Sequence, residues 1–176
     1  MRDKDLRELD RESEALVKNL GLSRISADAR EFCQELERTL GRPIALVEYD
    51  FLSSAPEITG LRVATPSREY IFFERDTDEW LQNHTILHEV GHIVRGHDPD
   101  FISDSNLFDL AQVMKHAVTI EGIDPDFAEH WGVWQRNHRD SRVELEAEAI
   151  AEAIERLGEP SVMDKFVMIQ RKLRLE

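Results

Sequence analysis

The chain has 176 residues, a mass of 20.4 kDa and a formal net charge of −14, from 36 acidic and 22 basic side chains. This length predicts one domain, and a content of 41% hydrophobic and 33% charged residues is typical of a soluble globular protein. The negative charge disfavours direct binding to nucleic acid and favours basic protein partners. The single cysteine, Cys33, excludes an intrachain disulfide. Because no apolar leader and no membrane-spanning run is present, we expect a cytoplasmic protein.

The first part of the chain predicts two helices followed by three strands. A charged helix is expected over 3–20, and a second helix is expected to begin at a Ser26 cap and end at Gly41. Cys33 lies on the apolar face of this second helix and is expected to be a small buried residue. Segments rich in β-forming residues follow at 44–51, 58–64 and 70–73. The last two flank a short turn, which predicts a β-hairpin.

The second part of the chain is predicted to be mostly helical. Helices are expected at about 78–95, 104–121, a short stretch after Pro125, 141–157 and 161–173. Helices around a small antiparallel sheet indicate an α+β fold. The single domain is then divided into N-terminal helices (1–41), a sheet with the 78–95 helix (42–97), a helical insertion (98–140) and two C-terminal helices (141–176).

Residues 88–92 form the motif H-E-x-x-H. On a helix, His88 and His92 are one turn apart, so both imidazoles can reach one zinc ion. Glu89 is rotated about 100° from His88 and is expected to be the general base that takes a proton from a zinc-activated water. The helix around the motif is apolar on most of its circumference, and buried polar groups there need partners that a metal can provide.

The third zinc ligand is expected from the helix over 141–157. Its apolar stripe has Glu144 and Glu148 along one edge and Glu146 along the other, so only one edge can face the metal. Glu144 is the preferred ligand, with Glu148 placed to bind the second nitrogen of a ligating histidine. Glu148, Glu146 and Asp98 remain as alternative ligands.

Two segments of the chain resemble the ImmA/IrrE family of zinc metallopeptidases. The stretch from Gly60 to His97 is similar to the family's strand hairpin and H-E-x-x-H helix ending in Gly-His, and residues 144–151 match E-x-E-A-[DNE]-x-[FIL]-A. The resemblance implies a gluzincin-like (zincin-like) fold. It also implies Zn²⁺ ligands His88, His92 and Glu144, with Glu89 as the base. Some family members cleave helix-turn-helix regulators or promote their cleavage.

The sequence therefore predicts a zinc metallopeptidase that hydrolyses a protein or peptide substrate, with a basic helix-turn-helix regulator as a candidate. Strand 70–73 is the candidate for pairing with an extended substrate. The alternative is a non-catalytic regulatory or toxin-like binding module with a structural or vestigial zinc site. A zinc hydrolase for a substrate other than a peptide is a third interpretation.

Several further residues are candidates for the surroundings of the predicted site. His84 is expected in an exposed first turn, with lining of the cleft as the alternative. His97 is interpreted as a cation at a helix C-terminus, with substrate contact as the alternative. Trp131 and Trp134 are expected on one face of a helix. The candidates for stabilising the oxyanion of a peptidase are Tyr49, Tyr70, His116, His130, His138 and Arg139.

Overall fold

Helices and one small sheet form an α+β arrangement, as the sequence predicts. The computed structural model describes residues 3–54, 59–65, 67–97, 132–135 and 141–160. The helices in these ranges are α1 (Asp3–Lys18), α2 (Ala29–Leu40), α3 (Phe51–Ser54), α4 (Glu79–Arg95) and α5 (Ser141–Leu157). The strands are β1 (Ile44–Tyr49), β2 (Gly60–Ala64), β3 (Glu69–Glu74) and β4 (Gly132–Gln135). None of the described helices is both long and apolar enough to cross a bilayer.

Local capping residues determine where the helices begin and end. Asp28 caps α2 by accepting a hydrogen bond from the Glu31 backbone N–H, so the predicted Ser26 cap is two residues too early. Gly41 ends α2 in the left-handed conformation, as predicted. The helix that carries the H-E-x-x-H motif, α4, begins after Asp78 and ends at the left-handed Gly96.

The sheet is mixed rather than antiparallel, with the strand order β1-β3-β2-β4. β2 and β3 form the predicted antiparallel hairpin. β1 instead pairs in parallel with β3, which corrects the prediction of an antiparallel sheet. Turn residues specify the pairing of strands that are neighbours in sequence, whereas the position of β1 depends on contacts that no local pattern encodes.

β3 lies in the interior of the sheet, and this position excludes the substrate-binding role that was predicted for it. Its backbone hydrogen bonds are used by β1 on one side and β2 on the other. Every residue of β3 is buried, as expected for an interior strand. The predicted pairing of segment 70–73 with an extended substrate is therefore wrong, because that mode of binding needs a free sheet edge.

The fourth strand lies in a segment predicted to be helical. β4 pairs antiparallel with β2, and Trp134 is opposite Arg62. Trp134 therefore belongs to a strand, and the helical description of 98–140 is wrong for 132–135. Trp131 and the predicted helices at 104–121 and 161–173 lie outside the described residues.

The core lies between the sheet and the helices α2, α4 and α5. Alternation along β3 directs Ile71 and Phe73 to this side, where they join apolar residues of the three helices. The helix residues buried in this core include Phe32, Leu36, Ile86, Leu87, Val90, Ile150 and Ile154. Cys33 is buried among them as predicted, and burial raises the pKa of its thiol to about 12.

The backbones of α4 and α5 approach each other closely at Gly91. A Cβ atom at this position would lie 2.8 Å from the Ala147 Cα atom and closer still to the Ala147 carbonyl oxygen. Real Cβ atoms are essentially never found this close to backbone atoms. Glycine at position 91 therefore allows the backbones of the two helices to meet.

We predict that Gly91→Ala destabilises the protein, although the same change in an open helix stabilises by about 1 kcal/mol. Overpacking of this kind costs about 1–3 kcal/mol, and here the obstructing atoms are backbone atoms that cannot change rotamer. Urea unfolding of the purified variants measures the loss. Ala147→Gly should not restore stability, because the clash involves only backbone atoms of that residue. Equal stability of Gly91→Ala and wild type would contradict the close approach.

Candidate metal centre

The two motif histidines lie in the buried middle of α4. Residues 85–92 are all buried, and His88 and His92 are only 3% and 0% exposed. Helical spacing places both imidazoles on one face, where their Nε2 atoms are 3.3 Å apart. The motif helix therefore presents two nitrogen atoms to the same point.

Glu144 approaches these nitrogens from the first turn of α5. One of its carboxylate oxygens lies 3.3 Å from His88 Nε2, and the other lies 3.8 Å from His92 Nε2. The three residues each offer a ligand atom, and these atoms all lie within 4.8 Å of one another. The structure thus brings together the three predicted metal ligands from two helices that are distant in sequence.

Glu148 lies one turn after Glu144 and binds two histidines of α4. Its carboxylate oxygens lie 3.0 Å from His88 Nδ1 and 3.1 Å from His84 Nε2. Hydrogen bonds from His84 and His88 hold the pKa of Glu148 far below its usual range. The Glu148 hydrogen bond likewise raises the pKa of His84. Glu148 therefore occupies the predicted outer position beside a candidate ligand.

His84 is half-buried rather than exposed, which corrects the expectation from its place early in the helix. Its Nδ1 atom lies 3.1 Å from the Glu155 carboxylate. The indole of Trp80 stacks on the His84 ring with a centroid distance of 5.5 Å. The spacing of His84, four residues before His88, was a signal that this ring would point toward α5.

His97 lies against the other motif histidine. Its Nδ1 atom is 3.0 Å from His92 Nδ1, and its Nε2 atom is 3.3 Å from Glu146. Burial lowers the pKa of His97, which disagrees with the prediction of a cation at the helix terminus. Although burial opposes it, hydrogen bonds from Arg142 and His97 lower the pKa of Glu146. Glu146 thus contacts His97 rather than the group of three donors.

Hydrogen-bond partners assign the tautomers of the two motif histidines. An ionised carboxylate only accepts, so Glu148 requires a proton on His88 Nδ1. Glu146 likewise requires a proton on His97 Nε2, which leaves His97 Nδ1 to accept from His92 Nδ1–H. In the uncharged rings, both Nε2 atoms then carry lone pairs that face the Glu144 carboxylate. A proton or a metal ion between these atoms would satisfy all three groups.

Glu89 is buried beside the start of the hairpin strand β2. The residue is 3% exposed, and a Cβ atom added to Gly60 would lie 3.0 Å from its Oε1 atom. The same Cβ would collide with the Thr85 methyl group. A glycine at the first position of β2 therefore makes room for the predicted general base and for Thr85.

The described oxyanion candidates do not face α4. Alternation along β3 places Tyr70 on the opposite face of the sheet from Ile71 and Phe73, which pack on the helices. Tyr49 packs edge-on against Phe72, on the same face as Tyr70. The remaining oxyanion candidates lie outside the described residues, and they are His116, His130, His138 and Arg139. The alternative ligand Asp98 also lies outside them.

A second group of carboxylates, Asp50, Glu74 and Asp76, also places oxygen atoms within 4.8 Å of one another. Asp50 accepts a hydrogen bond from the Ser53 backbone N–H, and Glu74 accepts one from Leu52. Hydrogen bonds from Ser53 lower the pKa of Asp50. Asp50 and Glu74 therefore cap the short helix α3.

Similarity to known proteins adds nothing to this geometry. No protein-family model matches the chain, and no curated protein or solved structure matches it either. The chemistry of the site is therefore inferred from its own residues.

We predict that Gly60→Ala lowers the free energy of unfolding by about 1–3 kcal/mol, because the new methyl group overpacks the contact with Thr85. Thr85→Ser removes the obstructing methyl group and should recover part of this loss when combined with Gly60→Ala. A double-mutant cycle measured by thermal unfolding provides the test. Additive effects of the two substitutions would contradict the contact.

Proposed function

We propose that the protein is a zinc-dependent peptidase of the ImmA/IrrE type with a zincin-like fold. His88, His92 and Glu144 would hold Zn²⁺, and Glu89 would be the general base. The observation that carries this proposal is the convergence of two imidazole nitrogens and one carboxylate at a buried point. The H-E-x-x-H motif and the match at residues 144–151 support the same assignment.

The donor set suits zinc in both chemistry and spacing. Two histidines and one glutamate are a known ligand combination for catalytic zinc, which keeps its fourth position for water or substrate. Ligands at about 2.0–2.1 Å in tetrahedral directions lie about 3.4 Å apart. The two Nε2 atoms here are 3.3 Å apart, one Glu144 oxygen lies 3.3 Å from His88 Nε2, and the other lies 3.8 Å from His92 Nε2. Small side-chain adjustments would therefore satisfy an ion.

Residues around the zinc site have separate roles in the proposed hydrolysis. Zinc, when bound, lowers the pKa of a water molecule and polarises the scissile carbonyl group. The Glu89 carboxylate accepts the proton of the attacking water and then delivers it to the nitrogen of the leaving amine. Glu148 holds the outer nitrogen of His88, which keeps the inner nitrogen of that ring as a ligand.

A basic protein is the substrate class that the charge favours. The chain carries 14 more acidic than basic side chains, so positively charged segments are attracted and nucleic acid is repelled. The resemblance to the ImmA/IrrE family suggests a helix-turn-helix regulator, whose DNA-binding surface is basic. A regulator of this kind is therefore the candidate substrate.

We predict that protein purified without added metal or chelator contains about one zinc ion per chain. His88→Ala and Glu144→Ala should each lose it, because two remaining ligands bind zinc weakly. Glu152→Gln is the matched control, since Glu152 lies on the exposed face of the same helix. Elemental analysis measures the zinc content. Zinc retained by Glu144→Ala would assign the third ligand elsewhere, and zinc-free wild type after zinc addition would overturn the site.

We also predict that Glu89→Gln keeps the zinc ion but lowers peptide cleavage by about 10²–10⁴-fold, because the amide cannot take a proton. Quenched fluorescent peptides rich in lysine and arginine provide the assay, with Glu152→Gln as the control. Zinc-loaded wild type that cleaves none of them, and for which Glu89→Gln changes nothing, would favour a binding module with a structural zinc site. Full activity of Glu89→Gln would assign the base elsewhere.

A further inference from the structure

We infer that His97 is a positioning residue, which fixes the orientation and tautomer of His92 by accepting a hydrogen bond from its Nδ1 atom. The inference rests on the proposed zinc site, and it concerns a residue outside the ligand set. It follows from hydrogen bonds to both the backbone and the ring of His97.

Hydrogen bonds fix the backbone of His97 at both its N–H group and its carbonyl oxygen. Gly96 adopts a left-handed conformation with φ of 66°, which turns the chain at the end of α4. The His97 N–H then donates to the His92 carbonyl oxygen at 3.0 Å. Its own carbonyl oxygen accepts from Arg62 Nη1, also at 3.0 Å. The side chain thereby returns along the helix toward His92.

Arg62 is itself fixed within the sheet. Its guanidinium forms two hydrogen bonds with Glu69 on the neighbouring strand, at 2.9 and 3.2 Å. Both side chains are buried, and a bidentate pair of this kind has a defined geometry. The hairpin therefore provides a rigid support for the end of α4.

The ring of His97 is held at both nitrogens. Nδ1 contacts His92 at 3.0 Å, and Nε2 contacts one oxygen of Glu146 at 3.3 Å. The other Glu146 oxygen accepts from Arg142 Nε at 2.8 Å. A ring with hydrogen bonds at both nitrogens cannot rotate without breaking one of them. Its Nδ1 lone pair is thus kept toward His92.

This connection would act on zinc binding through His92. A ligating histidine needs its proton on the outer nitrogen, and the partner of that nitrogen fixes both the tautomer and the ring plane. Glu148 has this position beside His88, and His97 has it beside His92. Both outer partners are supported by α5, because Glu146 holds His97.

Two substitutions at position 97 separate the contacts of the ring. Asparagine places its side-chain oxygen the same number of bonds from Cβ as Nδ1, so it keeps the acceptor for His92. Glutamine places its amide nitrogen at the level of Nε2, so it keeps the donor for Glu146. Alanine removes both contacts.

We expect His97→Ala and His97→Gln to weaken zinc binding by about 10–100-fold, and His97→Asn to stay within about threefold of wild type. Competition with a chromophoric chelator measures the zinc affinity. The visible spectrum of the Co²⁺-loaded protein should change in His97→Gln and remain like wild type in His97→Asn. Thermal unfolding of the metal-free variants identifies effects of packing alone.

The zinc affinity of wild type distinguishes failure of the positioning role from failure of the zinc site. If wild type binds zinc and His97→Gln matches its affinity and cobalt spectrum, the positioning role is overturned while the zinc site stands. If His97→Asn loses as much affinity as His97→Gln, the acceptor for His92 is not what matters, and the inference fails. If wild type binds no zinc, both proposals fail together.

Discussion

The arrangement of the site depends on the backbone contact between α4 and α5. Gly91 lies between the two motif histidines, and Ala147 lies between Glu144 and Glu148. Since the helices meet at these two residues, the side chains on either side of the contact face each other. A larger residue at position 91 would separate the helices and move the carboxylates away from the imidazoles. The short distance between backbones therefore determines which polar groups become neighbours.

A group of polar side chains buried in this way is costly unless every atom has a partner. Here the outer nitrogens of the motif histidines contact Glu148 and His97, and those residues have partners of their own. The inner nitrogens and Glu144 converge on one point. Replacement of such a group by apolar residues often stabilises a protein, so its presence in the core is better explained by a function than by stability. This reasoning favours the proposed metal site over a purely structural cluster.

The hairpin contributes to the site although it supplies no candidate ligand. Gly60 at the start of β2 leaves room for Glu89, and Arg62 two residues later holds the backbone of His97. The proposed base and the proposed positioning residue are thus both in contact with one strand. β3 supports this strand from the interior of the sheet, where it is also paired with β1. The sheet therefore supports α4, and its interior strand β3 is not available for pairing with an extended substrate.

The sequence alone determined the features that depend on neighbouring residues. The i,i+4 spacing of His88 and His92, the β2–β3 hairpin, and the end of α4 near Gly96 all follow from local geometry and turn chemistry. Helical phase also placed Glu144 and Glu148 on one edge of α5. Which edge faces the histidines was decided by the tertiary structure, as were the parallel pairing of β1 and the burial of His97 between His92 and Glu146. These features depend on contacts between segments far apart in the chain, and local periodicity carries no information about them.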